Sequence, residues 1–165
     1  MSSDDAGTAF VSGKLDAAVT WEPWLSKAKA MPSGHVLVTT RDRPVIQDVL
    51  FVTEGVIQKR RPDLTKFLRA CFDAVEFWKQ NSTEGNQIIA KALDLPLADI
   101  EAMLPGIRIM DLQMNRAFFG TRHAPGPAYQ AYNDAVAAWL KEGLIGRTQD
   151  SAAGIDPDLV NEITK

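Results

Sequence analysis

Two indoles and a carboxylate follow a short apolar run near the start of the 165-residue chain, in the segment Trp21-Glu22-Pro23-Trp24. An indole offers a flat apolar face and one N–H donor, and a carboxylate accepts strong hydrogen bonds from an amine or a ring N–H. Because ligands of α/β proteins bind where the strands of a sheet end, this segment is typical of the wall of a ligand cleft. The alternative is a strand-end turn in which the indoles pack into the core and Glu22 faces solvent.

A second carboxylate, Asp48, stands at the head of a later apolar run and is expected to face the same opening. Its alternative role is that of a solvated residue at the start of a strand. Glu22 and Asp48 would together repel a bare oxyanion unless Arg41 or Arg43 offset their charge. Two carboxylates therefore favour a ligand that carries an amine or a protonated ring.

Catalytic and metal-binding patterns are absent from the sequence. His35 and His123 have no metal-ligand spacing, and there is no G-x-S-x-G, P-loop or G-x-G-x-x-G motif. The one cysteine, Cys71, excludes an intrachain disulfide and a thiolate metal site. A net charge of −3 with scattered cations disfavours nucleic acid as a partner. We expect a protein that is not an enzyme and that uses no cofactor and no metal.

The elements that position these residues are predicted from hydrophobic periodicity. A short helix is expected before Gly13, and another is expected to follow Trp24. Three apolar runs rich in β-branched residues predict strands at 15–21, 35–40 and 48–53. From residue 54 onward the pattern is helical, with about six helices. The predicted fold class is a helix-rich α/β chain in which a small sheet of about three strands precedes those helices.

The longest helix is predicted within 60–81, with Pro62 in its first turn. Its apolar face is formed by Leu64, Phe67, Leu68, Cys71, Phe72, Val75 and Trp78. Three strands are few for so many helices, so strands are expected to be missing from this chain.

Several segments, taken in order, resemble the C-terminal portion of a known protein family. They are AFVSGKLDAAVTWEPWLSKA, RPVIQDVLFVTEGVIQKRRPDLTKFLRACFDAVEFWKQN, GNQIIAKALDL and NRAFFG. The family comprises the solute-binding proteins of ABC importers for nitrate, sulfonate, taurine and thiamine-type pyrimidines. Its members have the periplasmic-binding-protein type II fold, in which two α/β lobes hold the solute between them.

The resemblance implies a function, a division of the chain and a set of binding residues. It implies a solute-binding component, fragmentary or truncated, whose single domain comprises the end of lobe 2 (1–34), a hinge crossover (35–53) and the C-terminal part of lobe 1 (54–165). It places Thr20, Trp21, Glu22 and Asp48 at the cleft. The family works with an ABC permease in the periplasm or tethered to the membrane, whereas this chain begins without a signal peptide and is expected to be cytoplasmic as written.

Because the resemblance leaves out most of one lobe, apolar faces and strand edges are expected to be uncovered, which favours a homodimer. Two alternatives to solute binding stay open. One is a stand-alone helical module for self-association or for binding another protein. The other is an enzyme of thiamine pyrimidine synthesis, which shares the fold and for which no reactive side chains are found.

Overall fold

A computed structural model describes residues 1–40 and 46–164 of the chain. About 60% of the described residues are helical. The helices are α1 (Ser3–Val11), α2 (Trp24–Ala30), α3 (Glu54–Gln80), α4 (Ser82–Leu93), α5 (Leu97–Met103), α6 (Leu112–Phe119), α7 (Pro127–Lys141), α8 (Ser151–Gly154) and α9 (Asp158–Asn161), with a 3₁₀ turn at Leu104–Gly106.

The helices form two compact units. The first comprises the described parts of Met1–Gln47 and Asn81–Arg108, and the second those of Asp48–Gln80 and Ile109–Lys165. In the first unit α1 contacts α2, and α4 contacts α5. In the second, α9 contacts both α3 and α6, while α7 contacts α6 and α8.

The predicted sheet is wrong. No β-strand occurs among residues 1–40 and 46–164, so the α/β class with about three strands is replaced by a helix-rich fold. The runs at 15–21, 35–40 and 48–53 are non-helical segments that find no ladder partner in the part of the chain that the structure describes, and side chains such as Leu37 (91% exposed) and Phe51 (87% exposed) face solvent. A β-branched composition favours extended backbone, but a strand also needs a neighbour to accept and donate its backbone hydrogen bonds.

Helix α1 begins and ends as its sequence predicts. The Ser2 hydroxyl accepts from the Asp5 backbone N–H at 3.1 Å, and the Asp5 carboxylate accepts from the Ser2 N–H, which forms a capping box. The bonds from Ser2 hold the pKa of Asp5 below its ordinary value. Gly13 lies just past the helix with a φ of 71°, a conformation that glycine adopts without strain. The capping box and Gly13 therefore fix where α1 begins and ends.

The core of the second unit joins the C-terminal segment to two earlier helices, α3 and α6. Leu112, Val160 and Ile163 are buried, and Leu68, Phe72 and Phe119 pack against them. Two of these packing residues belong to the apolar face predicted for α3. None of the described residues of α3 is itself fully buried. The C-terminal segment and α6 thus together cover part of this face of α3.

Ion pairs also connect the C-terminal segment to the arginines Arg61 and Arg122. The Arg61 guanidinium donates to Asp156 at 2.9 Å and to Glu162 at 2.7 Å, and Arg122 donates to Asp158 at 2.6 Å and to Asp156 at 3.3 Å. The hydrogen bonds to Glu162 and Asp156 raise the pKa of Arg61. Burial alone would raise the pKa of Asp156, but bonds from Arg61 and from the Asp158 backbone N–H outweigh it and lower that pKa.

Replacing Ile163 by alanine tests this core. Ile163 is 2% exposed, so Ile163→Ala should lower the free energy of unfolding by about 2–4 kcal/mol. Ile88→Ala, at a position that is 54% exposed, is the matched control and should cost less than half as much. Urea unfolding followed by circular dichroism measures both. An equal loss in the two variants would show that the C-terminal segment does not form the core described above.

Asp156 predicts a pH dependence. Since its pKa is lower in the folded state, the charged carboxylate stabilises the fold above its ordinary pKa of 3.8, and this contribution is lost as pH falls through the folded-state pKa. The stability difference between the wild type and Asp156→Asn should therefore be larger at pH 7 than at pH 3. Urea unfolding at several pH values measures it. A difference that is constant with pH would exclude Asp156 as the source.

Candidate functional site

A single carboxylate holds both indoles of the Trp-Glu-Pro-Trp segment. Trp21 Nε1 and Trp24 Nε1 each donate to Asp4 Oδ1 at 3.0 Å. Asp4 lies in the first turn of α1, whereas the indoles lie immediately before α2 and at its first residue. The two rings are therefore positioned by a helix that precedes them by 17 and 20 residues.

The same face of α1 also fixes Thr20. Its hydroxyl donates to the Ser3 carbonyl oxygen at 2.9 Å. Gly7, which is buried, makes this approach possible, since a Cβ at that position would lie 2.5 Å from Thr20 Oγ1 and 2.5 Å from Trp24 Cβ. No side chain is accommodated at such a distance without displacing backbone. Helix α1 and residues 20–24 thus form one closely packed structure.

Glu22 is half-buried, and the two oxygens of its carboxylate have different environments. Oε2 accepts from the Ser26 backbone N–H at 3.0 Å in the first turns of α2. Oε1 accepts no hydrogen bond from the described residues and lies 3.6 Å from the position that a Cβ of Gly106 would occupy. One carboxylate oxygen therefore supports α2, and the other stays available as an acceptor.

The two indoles differ in what covers their faces. The Lys27 ammonium lies 4.3 Å from the centroid of the Trp24 ring, within the range of a cation–π contact. The Trp21 residue is 51% exposed. Because its N–H is already bonded to Asp4, what Trp21 presents to solvent is apolar ring surface. The first unit thus has a half-exposed tryptophan whose N–H is bonded within the unit, next in sequence to a carboxylate with one oxygen free to accept.

The structure brings three of the four predicted binding residues together. Thr20, Trp21 and Glu22 lie in the first unit, whereas Asp48 is exposed and belongs to the second unit. The grouping of Asp48 with Glu22 at one opening stays a prediction. Arg41 and Arg43, the cations that could offset these carboxylates, lie outside the described residues.

Two further residues of the site, Asp4 and Gly7, belong to no sequence motif. The signal that points to them is their spacing. Residues three apart share a face of a helix, so an acidic side chain at position 4 and a glycine at position 7 mark a surface of α1 suited to close packing and hydrogen bonding. That signal gains meaning only once the helix is known to contact the tryptophans.

Two open pockets lie elsewhere, in the second unit. One, of about 390 Å³, is lined by Arg122, Pro125, Tyr129, Asn133, Ser151 and Ala152. The other, of about 420 Å³, is lined by Arg61, Pro62, Thr65, Lys66, Arg69 and Glu162. Neither contains a predicted binding residue. Across 1–40 and 46–164 no group of three or more His, Cys, Asp or Glu residues has the arrangement of a metal site, and no helix is long and apolar enough to cross a membrane.

Removing the Asp4 carboxylate tests how the indoles are held. Asp4→Ala leaves two N–H donors without their acceptor and should lower the free energy of unfolding by about 1 kcal/mol. Asp4→Asn is the control, because it removes the same charge but keeps an acceptor oxygen, and it should cost less. Urea unfolding followed by tryptophan fluorescence measures both variants. Equal losses would mean that the charge of Asp4, and not its bonds to the indoles, is what stabilises the unit.

Comparison with known proteins bears on the family. Searches of curated proteins and of solved structures each gave no match. The model of the NMT1-like family matches residues 3–94, a range that contains the tryptophan segment and the helices α1 to α4. This match supports the coarser part of the resemblance, a solute-binding family of ABC transport without catalysis, and leaves the individual solute open. Since the match covers more than half of the chain, the protein belongs to the NMT1-like family.

Proposed function

We propose that this chain supplies the solute-binding portion of an ABC-type importer and that residues 20–24 form one wall of the solute site. The observation that carries the proposal is the Asp4 carboxylate, which holds Trp21 and Trp24 in place inside the segment that the family model matches. A wall whose aromatic surface is already ordered loses little conformational entropy when a ligand binds. No catalytic role is proposed.

The hydrogen-bond inventory of this wall indicates the chemistry of the solute. The hydroxyl of Thr20 and the N–H groups of both indoles all donate to α1. The groups that remain for a ligand are the acceptor Glu22 Oε1, the exposed ring of Trp21 and the Lys27 ammonium that lies over the Trp24 ring. Acceptors and aromatic faces suit a ligand that donates hydrogen bonds or carries positive charge, whereas a bare oxyanion would meet, of these groups, only the Lys27 ammonium, which already contacts the Trp24 ring.

Within the family's range of solutes, we therefore propose one that bears an amine or a protonated ring, such as an aminosulfonate like taurine or an aminopyrimidine, in preference to nitrate. Asp48 is retained in this proposal as a second carboxylate at the site. The predicted division into 1–34, 35–53 and 54–165, the permease partner and the periplasmic location of the full importer component also stay proposals, and they rest on the family alone.

Glu22→Gln provides the test of ligand chemistry. Glutamine keeps an acceptor for the Ser26 N–H but removes the charge, so affinity for taurine or an aminopyrimidine should fall about tenfold while any response to nitrate is unchanged. Ligand-induced thermal stabilisation measures this across a concentration series. Glu101→Gln, at an exposed position of α5 in the same unit, is the control. An equal loss for amine and anion would contradict the proposed role of Glu22.

A second candidate function is favoured by the exposed apolar segments. Val36, Leu37 and Val38 in the first unit are exposed, as are Val49 and Phe51 in the second. Contiguous exposed apolar side chains are typical of surfaces that another chain covers. The alternative is therefore a helical module that self-associates or binds a protein partner and does not bind a solute.

The same segments predict a homodimer at micromolar concentration, in which apolar surface on one copy is covered by the other. Size exclusion with light scattering should give twice the mass of the 18.1 kDa chain. A strictly monomeric protein would contradict this prediction. A dimer that no solute of the panel stabilises would favour the self-association module over solute binding.

A further inference from the structure

The open pocket of about 420 Å³ in the second unit lies along one side of α3. Its lining residues are Arg61, Pro62, Thr65, Lys66 and Arg69 of that helix, together with Glu162 from the C-terminal segment. Pockets that hold small molecules have volumes of about 300–1,000 Å³, so this one is large enough for a ligand of several heavy atoms. None of its residues belongs to the wall formed by Thr20, Trp21 and Glu22.

The charges around this pocket do not cancel. Three cations, Arg61, Lys66 and Arg69, line it against one carboxylate, that of Glu162. The chain as a whole carries a net charge of −3, so the pocket is a basic locus on an acidic protein. A basic concave surface attracts anions more strongly than the same charges spread over a flat one.

The three cations of the pocket differ in the hydrogen bonds and ion pairs that they already make within the protein. Arg61 donates through Nε and Nη2 to Glu162 and through Nη1 to Asp156, so its charge is matched within the protein. Lys66 makes no ion pair with the described residues. Arg69 has a single long bond, 3.4 Å from Nη2 to the Thr164 hydroxyl. Two cations therefore remain open to a ligand.

Lys66 and Arg69 are also spaced for joint recognition. Residues three apart on a helix have Cβ atoms about 5–6 Å apart, so both side chains can reach one anionic group. An arginine binds two oxygens of a carboxylate or phosphate at once, and a lysine adds a compact charge with three donors. The Thr65 hydroxyl donates to the Arg61 carbonyl oxygen at 3.1 Å and so adds no free donor.

We propose that Lys66 and Arg69 form a binding site for a small multivalent anion that carries carboxylate or phosphate groups. The site takes a ligand of opposite charge to the one proposed for the tryptophan wall, and it uses a different unit of the chain. It therefore goes beyond the proposed function, and either proposal can be disproved without affecting the other.

Isothermal titration at about 150 mM salt tests the site with two probes, pyrophosphate and citrate, which distinguish phosphate from carboxylate recognition. We expect saturable binding of at least one probe and a loss of about tenfold or more in Lys66→Ala/Arg69→Ala. Arg60→Ala is the matched control, because Arg60 is a neighbouring cation of α3 that pairs with Asp63 and does not line the pocket. Its affinity should stay within about twofold of the wild type.

Two results would overturn the proposal. One is the absence of saturable binding by both probes at millimolar concentration. The other is an equal loss in the double variant and in Arg60→Ala, which would show a diffuse effect of charge and no site. Both positions of the double variant are exposed, so its fold is expected to persist, and circular dichroism checks it. Lys66→Gln/Arg69→Gln repeats the test with polar side chains.

Discussion

The bond between Asp4 and the two indoles is the constraint on which the first unit depends. One carboxylate oxygen accepts from both rings at 3.0 Å, and it can do so only because Gly7 lets α1 approach the backbone and side chains of residues 20–24. The arrangement orders the aromatic surface and, at the same time, consumes the donors that would otherwise serve a ligand. The same hydrogen bonds therefore order the rings and determine which groups are left for a ligand. Those groups are acceptor oxygens and the exposed face of a ring.

The second unit is also held by contacts between residues far apart in sequence. Arg61 reaches Glu162 across 101 positions, and Ile163 and Val160 pack with Leu112 beneath α3. The ion pairs at the edge keep Arg61 matched, and this leaves the charges of Lys66 and Arg69 unmatched on the next turns of the same helix. The network that fastens the C-terminal segment thus also decides which cations of α3 are available to bind a ligand.

The sequence predicted the helices far better than the strands, and the reason is physical. A helix satisfies its backbone within one segment, so a terminating glycine, a first-turn proline and a 3.6-residue period were enough to place α1 and α3. A strand is completed by a neighbour, and the runs at 35–40 and 48–53 have no pairing partner among the described residues. Helix α8, four residues long, lacks any apolar period and was missed.

For the candidate site, the residue types were evident from the sequence, whereas the hydrogen bonds that connect them to α1 were evident only from the structure. Trp21 and Glu22 were predicted from their chemistry, and their role in binding a ligand stays a prediction. Asp4 was not found, because a carboxylate in a first helical turn is an ordinary feature and its bonds to the indoles depend on how α1 meets α2. Asp48 lies in the second unit, so its position in the sequence does not determine its distance from Glu22.

The most direct measurement of the central claim, that the Asp4-held indoles form a solute wall, is a nitrogen-15 NMR titration of the indole N–H groups. The chain has four tryptophans, of which Trp78 and Trp139 serve as internal controls. We expect saturable shifts of the Trp21 signal with taurine or an aminopyrimidine, none with nitrate, and unmoved signals from the two controls. A Trp21 signal that responds to no amine, or that responds to nitrate alone, would contradict it.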